Sequence, residues 1–68
     1  MPNIQLSIAA CRQNANLTQK ELAEKLSVST TTIQNWETGK TQPKLKQLRA
    51  ISELSGIPMD CIFLPSNP

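Results

Sequence analysis

The sequence predicts an all-α fold of five helices, and three observations carry that prediction. Apolar residues recur at helical spacing along most of the chain, hydroxyl residues suited to opening a helix stand before the two central runs, and both glycines, Gly39 and Gly56, stand where such runs stop. Sixty-eight residues make one small domain, a size that buries only about 60% of the surface its unfolded chain exposes and that gains from pairing with a second copy. No internal repeat, low-complexity tract or linker divides the chain. Residues 1–64 are therefore expected to form the domain and 65–68 a short tail.

The first helix is expected from Ile4 to Ala15, with Ile4, Ile8, Cys11 and Ala15 on one face. Cys11 occupies a position suited to a small core residue, so a buried thiol is expected there. Helix 2 is expected over Gln19–Leu26. Thr18 and Glu21 form a capping-box pair at its start, Leu17 and Leu22 stand in staple positions around it, and Leu22, Ala23 and Leu26 face the core. Ala23 is small where the next helix must cross close. Three residues later Ser29 opens helix 3, Thr30–Thr38, with Val28 and Ile33 as its staple and Gly39 as its stop. Helix 4 is expected from the region of Pro43 to Ser55, with Leu45, Leu48, Ile51 and Leu54 recurring every three residues and Gly56 ending it. A short, strongly apolar fifth helix is expected from Pro58 to Leu64.

Helices 2 and 3, about residues 19–38, thus read as a helix-turn-helix. At about 100° per residue, Ile33 and Trp36 of helix 3 point inward, while Thr30, Thr31, Gln34, Asn35 and Thr38 share an opposite arc roughly 140° wide. All five are uncharged and hydrogen-bonding. Asn and Gln pair bidentately with adenine, and a Thr methyl packs on the thymine methyl in the major groove. A solvated or protein-binding face is the plainer alternative, but consecutive β-branched threonines weaken a helix without any solubilising charge. The net charge of +2 is modest, yet Lys40, Lys44, Lys46 and Arg49 lie together just after this helix with no acid among them. Lysines there suit phosphates flanking a helix seated in a groove.

On Gln19, Ala23, Val28-Ser29, Ile33, Trp36, Glu37, Gly39 and Pro43, the chain from about Ile4 to Leu64 resembles the lambda-repressor and Cro-like helix-turn-helix family, also called the XRE family, of phage and bacterial transcriptional regulators. It departs from that pattern with Ser27 and Asn16 where the family usually has glycine. The resemblance implies a DNA-binding regulator, most simply a compact Cro-like repressor that sits as a homodimer on a pseudo-palindromic operator in double-stranded DNA. Thr30, Thr31, Thr32, Gln34 and Asn35 are then the expected base readers, and Arg12, Gln19, Ser29, Thr38, Lys40 and Lys44 the expected backbone contacts. It further implies that Arg12 pairs with Glu37 and that Gln19 clamps a phosphate at the start of helix 2.

The apolar run supplies an expected dimer interface at Met59, Ile62, Phe63 and Leu64, because so small a core cannot cover all of it. No cofactor, metal, membrane or small-molecule substrate is expected. The chain has no histidine, its two cysteines are not in a CxxC, and no nucleophile–base set or phosphate-cradling loop is present. A chain without signal peptide or long apolar run, and with unpaired cysteines, is expected in the cytoplasm. Its length is expected to leave no second domain for ligand sensing. Two rival readings share the fold: an antitoxin or excision-control protein with a protein partner, and an interaction module that no longer binds DNA.

Overall fold

In the computed structural model, residues 5–65 are described; they form four α-helices, one 3-10 turn and a two-stranded parallel pair. In chain order these are β1 (Leu6–Ser7), α1 (Ile8–Asn14), α2 (Gln19–Leu26), α3 (Thr30–Thr38), α4 (Leu45–Ser55), the 3-10 turn Met59–Cys61 and β2 (Ile62–Phe63). The helix-turn-helix of α2 and α3 stands where the sequence placed it. The expectation of five helices is corrected at both ends of the chain.

Helix α1 begins at Ile8, because Leu6 and Ser7 pair with Ile62 and Phe63 and leave the helical path. The Ser7 side chain then caps α1 by accepting the Ala10 N–H at 3.1 Å. Ile4, expected on the inner face of that helix, lies outside the described residues. At the other end, the expected fifth helix is a single 3-10 turn followed by an extended pair. Ile62 and Phe63 are β-branched and aromatic, types that fit a pleated surface. Once β1 is available, their backbone groups gain a partner strand in place of a helix of barely two turns, which is marginal on its own. In the register Leu6↔Ile62 and Ser7↔Phe63, alternation sends Ile62 inward and Phe63 outward.

Three helices end by one device. A residue in left-handed geometry follows α1 (Asn16, φ 59°), α2 (Ser27, φ 58°) and α3 (Gly39, φ 83°). Each time the next N–H reaches back to the carbonyl five residues earlier: Leu17 to Arg12 at 3.1 Å, Val28 to Ala23 at 3.0 Å, and Lys40 to Asn35 at 2.9 Å. The two departures from glycine noted in the sequence thus occupy left-handed positions, which Asn tolerates better than Ser.

The core gathers Ile8 and Cys11 of α1, Leu22 and Ala23 of α2, Ile33 and Trp36 of α3, Ile51 of α4 and Ile62 of β2. Both cysteines are free, and burial raises the Cys11 thiol pKa, with a Ser55 hydrogen bond opposing that rise. Helix α4 buries less of its leucine row than the sequence suggests. A spacing of three drifts about 60° per step from a 3.6-residue helix, so Ile51 points inward while Leu45 and Leu54, the row's two ends, are 63% and 38% exposed. Ser55 takes the inward place instead. Its hydroxyl donates to the Ile51 carbonyl at 2.8 Å and accepts the Ile57 N–H at 3.2 Å, and its own carbonyl accepts from Asn14 at 2.9 Å. That polar group is buried but satisfied. No helix among the described residues is long and apolar enough to cross a membrane.

Candidate nucleic-acid interface

Two caps set the angle and start of the helices that carry the site. The Thr18 hydroxyl accepts the Glu21 N–H at 3.1 Å, and the Glu21 carboxylate accepts the Thr18 N–H at 2.8 Å. Those hydrogen bonds hold the Glu21 carboxyl below its ordinary value. At α3 the Ser29 hydroxyl accepts the Thr32 N–H at 3.1 Å and lies 2.9 Å from the Thr32 hydroxyl. Both helices therefore begin where the sequence says, and both caps sit on the exposed side.

The fully buried Ile33 and nearly buried Trp36 anchor α3 against α2 and fix which face it turns out. Thr31, Gln34 and Thr38 are exposed, and Thr30 and Asn35 are half-buried beside them. Among the described residues the side-chain amide of Asn35 has no hydrogen-bond partner, so its donor and acceptor are both available to a ligand. Thr38 is partly committed, since its hydroxyl donates to the Gln34 carbonyl at 3.0 Å. Thr32 is half-buried with its hydroxyl turned to Ser29. It stands apart from the other four expected readers.

Arg12 and Glu37 form an ion pair, as the resemblance implied. Arg12 Nε lies 2.7 Å from Glu37 Oε2 and Nη2 lies 3.4 Å from Oε1, with side-chain exposures of 14% and 9%. Arg12 Nη1 also donates to the Leu17 carbonyl at 3.0 Å. The guanidinium thereby ties α1, the α1–α2 loop and α3 together, and removing either partner leaves a mostly covered charge unpaired. Little of Arg12 remains open to a phosphate.

Two bonds at this seam were not foreseen from the sequence. Gln19 Nε2 donates to Glu37 Oε1 at 3.0 Å, and Gln34 Nε2 reaches Gln19 Oε1 at 3.4 Å. Partners 18 and 15 residues apart across a turn leave no periodic signal. Gln19 also opens α2, whose free N–H groups and dipole favour an anion.

Beyond Gly39 the basic side chains Lys40, Lys44, Lys46 and Arg49 are exposed, and α4 starts with the Lys44 N–H donated to Gln47 Oε1 at 2.8 Å. Gly39 carries a second constraint: a Cβ built there would lie 3.1 Å from the Pro65 side chain. Gln42 Nε2 meets the Pro65 carbonyl at 3.4 Å. Pro65, the first residue of the expected tail, thus lies against the end of α3. Of the expected dimer residues, Ile62 is part of the core at 9% exposure, Met59 and Leu64 are half-buried, and Phe63 is 48% exposed.

The model of a protein family described as helix-turn-helix matches residues 8–60. The HTH-type transcriptional activator BcrR of Enterococcus faecalis is 45% identical over 49 residues, which are 72% of this chain and 24% of that protein. An uncharacterized HTH-type transcriptional regulator of Methanocaldococcus jannaschii is also 45% identical over 49 residues, covering 72% of this chain and 74% of the other. No solved structure matches the chain significantly.

Proposed function

This chain belongs to the lambda-repressor and Cro-like helix-turn-helix family, and from that premise we propose that it is a sequence-specific regulator of transcription that reads double-stranded DNA with α3. The observation that carries the reading is the outer face of α3, where Thr30, Thr31 and Asn35 offer uncharged donors, acceptors and methyl groups between two phosphate-binding flanks. On one side stand Gln19 and the first turn of α2, with Ser29 at the cap of α3. On the other stand Thr38, Lys40 and Lys44. Asn35, with both ends of its amide available, is the strongest base reader, and Thr30 and Thr31 supply methyl contacts. Arg12 contributes mainly by fixing α1 against α3, with its exposed edge turned to the backbone.

The regulator acts in the cytoplasm as a homodimer on a pseudo-palindromic operator, most simply as a compact Cro-like repressor. One α3 covers only a few base pairs, and two related by a dyad place their helices one DNA turn, about 34 Å, apart. Phe63 is the apolar residue offered to that dyad, beside Met59 and Leu64. The relative named as an activator makes the sign of regulation a separate question, answered by a reporter placed under the selected site.

Selection from a random duplex library tests the reading. A motif with dyad symmetry is expected to enrich, and affinity is expected to fall by about 10³ to 10⁵ between 50 and 200 mM salt for about 6 to 10 phosphate contacts. Failure to enrich any motif at low salt removes the proposal. Sedimentation of wild type and Phe63→Asp, with folding checked by melting, tests the dimer.

A further inference from the structure

Across the α2–α3 seam the hydrogen bonds run in one direction. A carboxylate only accepts, so with Glu37 facing it the Gln19 amide must present nitrogen to Glu37, at 3.0 Å, and oxygen to the other side. There it meets Gln34 Nε2 at 3.4 Å. Glu37 is itself held by the Arg12 guanidinium at 2.7 Å. A flipped Gln19 amide would set oxygen against carboxylate, so Glu37 selects one orientation, and Gln34 meets the oxygen left on the other side with its own nitrogen. One Nε2 N–H of Gln19 is used on Glu37, and the second remains for a ligand at the first turn of α2.

We propose that Gln34 is a positioning residue rather than a base reader: together with Glu37 it holds the Gln19 amide in the one orientation whose second N–H grips a DNA phosphate. This rests on the DNA-binding reading above. A glutamine side chain free in solvent must give up its rotamers on binding, whereas one held between two partners has already lost them in the folded protein. Gln34 lies on the outer face of α3 next to the readers, so it links the helix that reads bases to the group that clamps the backbone. Correct seating of α3 and capture of the phosphate then become one event.

The test has a free-protein arm and a DNA arm. In the free protein, the side-chain amide resonances of Gln19 are followed by nitrogen-15 NMR in wild type, Gln34→Ala and Glu37→Gln, with melting to confirm folding. Both substitutions are expected to move the Gln19 pair. In the DNA arm, wild type, Gln34→Ala, Gln19→Ala and the double variant are titrated with the library-selected duplex and with duplexes altered at each base pair. Gln34→Ala is expected to weaken binding about 2- to 12-fold, the factor matching one side chain to be immobilised. The loss should be equal on every duplex and add nothing in the Gln19→Ala background. A Gln34→Ala variant that changes base preference, or whose loss multiplies with that of Gln19→Ala, overturns the assignment. If wild type binds no duplex, the DNA reading fails, while the NMR arm still decides: unmoved Gln19 resonances in Gln34→Ala overturn the positioning role.

Discussion

The helix-turn-helix unit and the paired ends of the chain satisfy their backbone in opposite ways. In α2 and α3 the groups that start each helix find partners three residues away, through Thr18 with Glu21 and Ser29 with Thr32. In β1 and β2 the partner is distant in the sequence, Leu6 against Ile62 and Ser7 against Phe63. The first arrangement costs little loop-closure entropy, and the second must close a loop of more than 50 residues. The helix-turn-helix unit is therefore locally specified, and the closing pair is specified by the core. Damage to the first should stay local, and damage to the second should spread.

Ile62→Ala is the hardest test of that contrast. It removes most of a buried side chain that joins the strand pair to the core, and should cost about 2 to 5 kcal/mol in chemical denaturation. Hydrogen exchange should accelerate through α1 and α4 as well as β2; acceleration confined to residues 61–64 would contradict the contrast. Gly39→Ala comes next, because Gly39 lies where the two regions touch. Left-handed geometry costs a non-glycine residue about 1 to 2 kcal/mol, and the new Cβ must also displace Pro65. Gly56→Ala has the same backbone geometry with open space around it, so it should lose less stability than Gly39→Ala; equal losses would mean that Pro65 yields freely.

Thr18→Ala should cost about 1 kcal/mol and quicken exchange only in the first turn of α2. The Glu21 half of that cap has a pH signature. Since the folded carboxyl sits below its unfolded value, its contribution is complete above the ordinary carboxylate range and is lost as pH falls through the lowered folded value. A Glu21→Gln variant should flatten that part of the acid limb of a pH–stability curve. The smallest effect runs the other way: Ser27→Gly should relieve left-handed strain and stabilise by up to about 1 kcal/mol. A loss of stability there would show that the Ser27 side chain contributes more than its backbone costs.

What could be read from the sequence follows the same division. The caps, the staples and the inward turn of Ile33 and Trp36 were legible because each signal lies within five residues of its effect. Asn35 and the threonines of the outer face were legible for the same reason. The run Pro58–Leu64 reads as helix because a short apolar run carries no decisive period, and the strand that pairs with Ile62 and Phe63 lies 56 residues before them. Leu45, Leu48, Ile51 and Leu54 recur every three residues, a spacing that a helix does not keep on one face, so the row's two ends turn outward. The Gln34–Gln19–Glu37 chain was invisible for a different reason, since it depends on how α2 and α3 cross rather than on either helix alone.

The parallel pairing of the two ends also sets an order in time. A ribosome delivers β1 first and β2 about 55 residues later, so β1 waits without a partner through most of synthesis. The α2–α3 unit is complete at Thr38, and Phe63 follows about 25 residues afterwards, a delay of about 1 to 5 s at ordinary elongation rates. During that interval the nascent chain holds the residues of α2 and α3 without the strand that closes their core. Stalled nascent chains of increasing length should gain resistance to protease in one late step, when Ile62 and Phe63 clear the exit tunnel.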